Sequence, residues 1–137
     1  MQIKVKLDGA VIPKKAYEAD AGFDLLSRES ITIFPHFSHT FDTGVHFEIP
    51  RGYVGFLKSK SGLNVRHSIL NEGVIDSGFT GSIKVKLYNH GNVDYHIDKG
   101  DKISQIVFLP IPEVQLVEVD SLEDTERGSN GIGSSGR

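Results

Sequence analysis

The chain has 137 residues, a formal net charge of −3, 15 glycines and no cysteine, which fits one domain without disulfides or thiolate zinc sites. With no basic surplus or stripe, direct nucleic-acid binding is not expected. No run of about 18 apolar residues is present to span a membrane.

Ile3, Val5 and Leu7 alternate with Lys4 and Lys6, a period of two that predicts a half-buried strand. This opening lacks the apolar block of a secretory leader, so a cytoplasmic protein is expected. After the turn signal Asp8-Gly9, the segment Ala21-Gly22-Phe23-Asp24-Leu25 pins an acid between apolar residues. A turn acid is the plain reading of it. Ile31 to Phe34 is a denser apolar run. His36 and His39 lie close together but lack a third ligand at a familiar spacing, so they read as surface residues and not as a zinc site.

Val45, Phe47 and Ile49 alternate with His46 and Glu48, Pro50-Arg51-Gly52 marks a turn, and Tyr53 to Leu57 reads as a strand buried on both faces. Lys58-Ser59-Lys60-Ser61-Gly62-Leu63 sets glycine beside hydroxyls, the composition that lets backbone N–H groups converge on an anion. It lacks the Gly-Lys-Ser/Thr ending of a P-loop. A short helix is predicted around Val65–Leu70. In Gly73-Val74-Ile75-Asp76-Ser77-Gly78-Phe79-Thr80-Gly81, one carboxylate follows two β-branched residues, and three glycines allow a ligand to approach the backbone. An ordinary hairpin acid is the plainer alternative.

Ile83, Val85 and Leu87 alternate with Lys84 and Lys86, repeating the pentapeptide of residues 3–7. Nothing around it recurs, so the two copies are similar strands and not a repeat architecture. Turns at His90-Gly91-Asn92 and Lys99-Gly100-Asp101 lead to a second dense run, Ile103 to Leu109. Beyond Pro110-Ile111-Pro112, Val114, Leu116 and Val119 predict another half-buried strand, and Leu122–Thr125 a second short helix. Residues 121–137 turn acidic and then Gly/Ser-rich, too poor in apolar surface to order alone. They read as a floppy terminus or as a flap that orders over an anion. No Gly-x-Ser-x-Gly elbow supports serine-hydrolase chemistry.

Many short strands with regular turns predict an all-β jelly-roll-like barrel or sandwich. The expected organisation is a core over residues 1–120 and a flexible arm over 121–137.

Taken in order, the segments 21–25, 60–63, 73–81, 100–106 and 127–136 resemble the five motifs of the trimeric dUTPase family, the deoxyuridine triphosphate nucleotidohydrolases. The chain departs from the family pattern at Lys60, where arginine is usual. It also departs at Gly78, where a second acid is frequent, at Phe79 for tyrosine, and at Ile132 for phenylalanine. The resemblance implies hydrolysis of dUTP to dUMP and pyrophosphate by water attack at the α-phosphorus, which limits uracil in DNA and supplies dUMP for dTMP synthesis.

Asp76 is then the general base. Lys60, Ser61 and Gly62 would hold the β-side phosphates, and Gln105 the α-phosphate region. Asn71, Gly73, Val74 and Ile75 would frame uracil, with Asn71 one residue out of the usual spacing. Phe79 would pack on the deoxyribose, and Lys84 joins the substrate contacts. Arg127, Ile132, Gly133 and Ser134 would close over the base and γ-phosphate. Mg²⁺ is expected on the substrate triphosphate, reached by Asp24 only through water. A homotrimer with sites between subunits is expected, and a regulatory protein partner is left open.

Two other readings are weighed. A dCTP deaminase shares this fold but needs a glutamate-type base where Asp76 stands. A non-catalytic, nucleotide-controlled binding protein would follow if the departures disabled the site.

Overall fold

The computed structural model describes residues 1–136. Its regular elements are almost all strands: β1 (Lys4–Leu7), β2 (Phe23–Leu26), β3 (Ile31–Ile33), β4 (Ser38–Asp42), β5 (Val45–Glu48), β6 (Tyr53–Lys58), β7 (Ile69–Leu70), β8 (Glu72–Ile75), β9 (Lys84–Asn89), β10 (Tyr95–Ile97) and β11 (Lys102–Pro110). One helix, α1 (Ser61–His67), interrupts them. The strands pair antiparallel in four sheets, ordered β1-β5, β3-β10, β2-β11-β6-β8 and β4-β9-β7. The result is a jelly-roll-like sandwich, with no closed barrel among the described residues.

The period-two reading locates the core. In β9, Val85 and Leu87 are buried while Lys84 and Lys86 are exposed. In β5, Val45 and Phe47 point inward and His46 outward. With Leu25, Phe41, Leu57, Ile69, Ile83, Ile103 and Ile106 they form one continuous apolar cluster. Burying each such side chain stabilises the fold by about 1.5–3 kcal/mol.

Three local expectations need correction. The first helix occupies Ser61–His67, beginning ahead of the expected Val65–Leu70 and overlapping it only at residues 65–67. Ser68 ends it in the left-handed region at φ 56°, and Ile69 is drawn into β7 opposite Asn89, where it is buried. Residues 114–119 form no strand, and Leu116 is 93% exposed. Alternation supplies an apolar face, but a strand also needs an unpaired edge to join. Leu122–Thr125 is not helical. Leu122 finds nothing to pack on, and a helix this short is marginal without packing.

Candidate active site

The central sheet lines up four residues across its strands. Asp24 of β2 is registered with Gln105 of β11, Gln105 with Lys58 of β6, and Lys58 with Glu72 of β8. The Lys58 ammonium lies 2.7 Å from the Glu72 carboxylate at the solvent end of this row.

Asp24 is buried, yet both carboxylate oxygens are paired: Lys60 Nζ donates at 2.5 Å and Lys102 Nζ at 2.8 Å. Burial by itself pushes this carboxyl up. The hydrogen bonds from Lys102 and Lys60, with their charges, outweigh it and hold the group below the usual carboxylate range. The Asp24 carboxylate raises the Lys102 ammonium in return. Lys60, expected at the β-side phosphates, is thus engaged with Asp24 in the free chain. Asp24 and Lys102 also line a cleft of about 460 Å³ with Lys14 and Lys15, an electropositive surface.

Gln105 donates to the Ser59 carbonyl at 3.1 Å. Its side chain lies so close to Gly22 that a Cβ there would sit 2.4 Å from Oε1, which explains the glycine next to Phe23-Asp24. Ser59 Oγ donates to the Asn71 carbonyl at 3.0 Å and accepts the Asn71 N–H at 2.8 Å. Ser104 Oγ donates to Asn71 Oδ1 at 2.5 Å. The Asn71 side chain is thus buried in the scaffold, and its Nδ2 is an unpaired buried donor. Lys60 is extended at φ −71° and ψ 130°, and α1 begins at Ser61 with no side-chain cap and no acid in its first turn. Its leading N–H groups, on Ser61 and Gly62, are therefore free for an anion.

Asp76 stands apart from this cluster. It follows the last residue of β8, four positions beyond Glu72, or about 13 Å along a strand. Its side chain is exposed, and its carbonyl accepts the Phe79 N–H at 3.1 Å to close a turn. Phe79 folds back over Gly81, where a Cβ would lie 2.6 Å from the ring. Gly73, Val74 and Ile75 pair with Leu57, Phe56 and Gly55 of β6, so their positions are set by the ladder.

Lys84 lies elsewhere again, bonded to the Asp42 carboxylate. That bond, with one from Ser82, holds Asp42 far below the usual carboxylate range. Arg127, Ile132, Gly133 and Ser134 are exposed in a chain of turns in which Arg127 Nε donates to the Asn130 carbonyl at 2.9 Å. One chain therefore gathers Asp24, Lys60, Ser61, Gly62, Asn71 and Gln105. It leaves Asp76 with Phe79, Lys84, and the arm separate.

Sequence reasoning overlooked Lys102, Ser59 and Ser104 as site residues. Lys102 lay inside a recognised segment, but only strand pairing reveals that it faces Asp24. Among the described residues, no three His, Cys, Asp or Glu side chains gather to hold a metal. No helix among them is long and apolar enough to cross a membrane.

The family model that matches is dUTPase, over residues 8–136. The deoxyuridine 5'-triphosphate nucleotidohydrolase of Gloeobacter violaceus is 43% identical over 130 residues, covering 91% of this chain and 88% of that one. The enzyme of the same name from Tropheryma whipplei is 38% identical over 141 residues, covering 100% and 97%. Among solved structures, the dUTPase of Staphylococcus bacteriophage 80alpha with dUpNHpp superposes with a TM-score of 0.91 at 30% identity, covering 99% of both chains. A mutant dUTPase of phage phi11 of S. aureus with a coordinated structural Mg(II) ion superposes at 0.82 and 27% identity, covering 90% of this chain and 100% of that one. Fold, motif order and sequence likeness agree over nearly the whole length, and the chain belongs to the dUTPase family.

Proposed function

We propose that this protein is a dUTP diphosphatase, cleaving dUTP to dUMP and pyrophosphate. The observation that carries the reading is the electropositive cluster at one end of the central sheet, on a chain 38–43% identical to dUTP nucleotidohydrolases. There Lys60, the free N–H groups of Ser61 and Gly62, and Gln105 converge beside a buried acid. A triphosphate requires of the protein mainly positioning and charge neutralisation, and these groups supply both.

In the mechanism we favour, Asp76 accepts a proton from a water whose oxygen attacks the α-phosphorus. The bond to the bridging oxygen breaks and pyrophosphate leaves. The glycine-flanked ladder Gly73-Val74-Ile75 presents backbone groups to uracil, and Phe79 packs on the deoxyribose. A sugar bearing a 2′-hydroxyl is excluded by sterics. Lys84, where paired to Asp42, reaches substrate only by exchanging that partner for a phosphate.

When bound, Mg²⁺ would supply charge neutralisation on the triphosphate, with phosphate oxygens and water as its main ligands. Each Asp24 oxygen carries one ammonium and retains a lone pair, enough to accept a hydrogen bond from a metal-bound water. The site residues present are compatible with that indirect role.

The separation of Asp76 from the Lys60 cluster argues that each site is completed between chains. We propose a homotrimer in which one subunit supplies Asp76, another the phosphate cluster, and the arm from about residue 121 onward closes over the substrate. Limitation of uracil in DNA and supply of dUMP for dTMP synthesis follow from the reaction.

The deciding experiment is pyrophosphate release from dUTP, dCTP, dTTP and UTP, with and without Mg²⁺. Fast, Mg²⁺-dependent release from dUTP alone is expected. No cleavage of any nucleotide overturns the enzyme reading and favours the nucleotide-controlled binding protein. Ammonia release from dCTP favours the deaminase. A regulatory partner in addition to catalysis is a second reading. It draws on the likeness to the phage 80alpha enzymes, which are described as controlling transfer of virulence genes. Capture of a partner that changes on adding nucleotide tests it.

A further inference from the structure

The alternation of β5 buries Val45 and Phe47 and leaves His46 on the outer face, opposite Lys6 of β1. The His46 side chain is nevertheless only 17% exposed, and both ring nitrogens are engaged. Nδ1 lies 2.8 Å from the carbonyl oxygen of Thr80. Nε2 lies 2.8 Å from Oδ2 of Asp8. Both partners are acceptors, so a ring carrying a single proton satisfies only one of them, and the imidazolium donates to both.

The surroundings suit that arrangement. The Asp8 carbonyl accepts from Arg28 Nη1 at 2.8 Å, which fixes the end of β1. Lys6 Nζ stands 3.8 Å from Asp8 Oδ2, the carboxylate oxygen next to the ring, and the Lys4–Glu48 pair at 2.8 Å lies further along the two strands. Asp8 is therefore the one carboxylate against the ring, and Lys4, Lys6 and Glu48 border the cleft beside it.

Thr80 directly follows the turn that carries Asp76 and Phe79. Ser82 and Ile83, beyond it, are tied to the β4–β5 hairpin. Gly44 donates its N–H to Ser82 Oγ at 3.0 Å, Ser82 Oγ donates to the Asp42 carboxylate, and Ile83 donates its N–H to the Val45 carbonyl at 2.8 Å. Between these anchors and the end of β8, the bond from His46 is the one hydrogen bond that a side chain outside the loop makes to residues 76–81, among the described residues.

We propose that His46, held by Asp8, is a positioning residue of the dUTP site: it clamps the Thr80 carbonyl and thereby fixes the turn that presents Asp76 and Phe79. The clamp rests on the reading of Asp76 as the base. A shift of about 1 Å in such a group costs up to about 100-fold in rate.

The test compares three variants of the full-length protein. In His46→Asn the amide nitrogen takes the place of Nδ1 and keeps the bond to Thr80. In His46→Gln the longer amide reaches the place of Nε2 and keeps Asp8 instead. His46→Leu keeps neither. The Asn variant is expected to retain most of kcat/KM for dUTP. The Gln and Leu variants are expected to lose about 10- to 100-fold, with KM raised, although the Gln variant unfolds at the same denaturant concentration as the Asn variant. Amide hydrogen exchange over residues 77–81 gives a readout independent of turnover, and is expected to quicken in Gln and Leu but not in Asn. Wild-type kcat/KM and exchange in the Gln variant, or an Asn variant as impaired as Leu, overturns the clamp. If the wild type cleaves no dUTP, the proposed activity fails, and the exchange comparison still decides whether His46 holds the loop.

Discussion

Asp24 shows how one residue changes meaning between sequence and structure. In the sequence it is an acid among apolar neighbours; in the fold it is a buried carboxylate shared by Lys60 and Lys102. Its folded-state titration lies below the ordinary value of 3.8, so its contribution to stability is fully present above that value. It is lost as pH falls from there through the lower folded value. Denaturant unfolding followed from neutral pH into acid is therefore expected to show a shallower acid loss for Asp24→Asn than for the wild type. Equal slopes count against the pair. The side chain of Asp76 is exposed, so its replacement is not expected to cost stability, and on the proposed mechanism it is the base. Asp76→Asn is expected to reduce turnover by about 10²–10⁴-fold while leaving affinity for a non-hydrolysable dUTP analogue near normal; near-normal turnover refutes the base assignment. Lys60 was legible because its segment is distinctive. Lys102 and Ser104 were not, because cross-strand neighbours are invisible until register is known.

At the scale of elements, the β4–β5 hairpin anchors the chain just beyond the turn that carries Asp76. Gly44 sits at φ 68°, and a Cβ on it would lie 2.4 Å from the Asp8 carbonyl oxygen. Gly44→Ala is expected to cost at least about 2 kcal/mol, combining left-handed backbone strain with the clash. A lowered urea midpoint at unchanged slope is the measurement. The strands themselves were readable from period two, because a strand with one face on the core must alternate. Helix α1 was misplaced in the sequence because Ile69, apolar and adjacent, belongs to β7. Residues 114–119 were misread because their apolar alternation pairs with no strand among the described residues and stays exposed. Among the described residues, the arm beyond Glu126 makes only local hydrogen bonds. Its removal is expected to preserve assembly and cut turnover steeply; full activity of the truncated protein makes the arm a plain tail.

At the scale of the whole molecule, Asp76 and the Lys60 cluster occupy different ends of the central sheet, and among the described residues the arm is hydrogen-bonded to neither. The proposed site, which needs all three, would be built by association. Sedimentation is expected to give about three times the 15.1 kDa chain mass. Co-refolding inactive Asp76→Asn subunits with inactive arm-truncated subunits is expected to restore part of the activity, since mixed trimers contain sites with an intact base and an intact arm. No recovery means that each site draws both from one chain. The sequence by itself determined the all-β class, the inward faces of most strands and the dUTPase family. These are written in short-range alternation and in ordered local motifs. Only the tertiary structure decided that Asn71 is spent on the scaffold, that Lys102 shares Asp24, that Lys84 faces Asp42 and that His46 grips Thr80. The physical reason is that each of these depends on how segments distant in the chain are brought side by side, which no local pattern encodes.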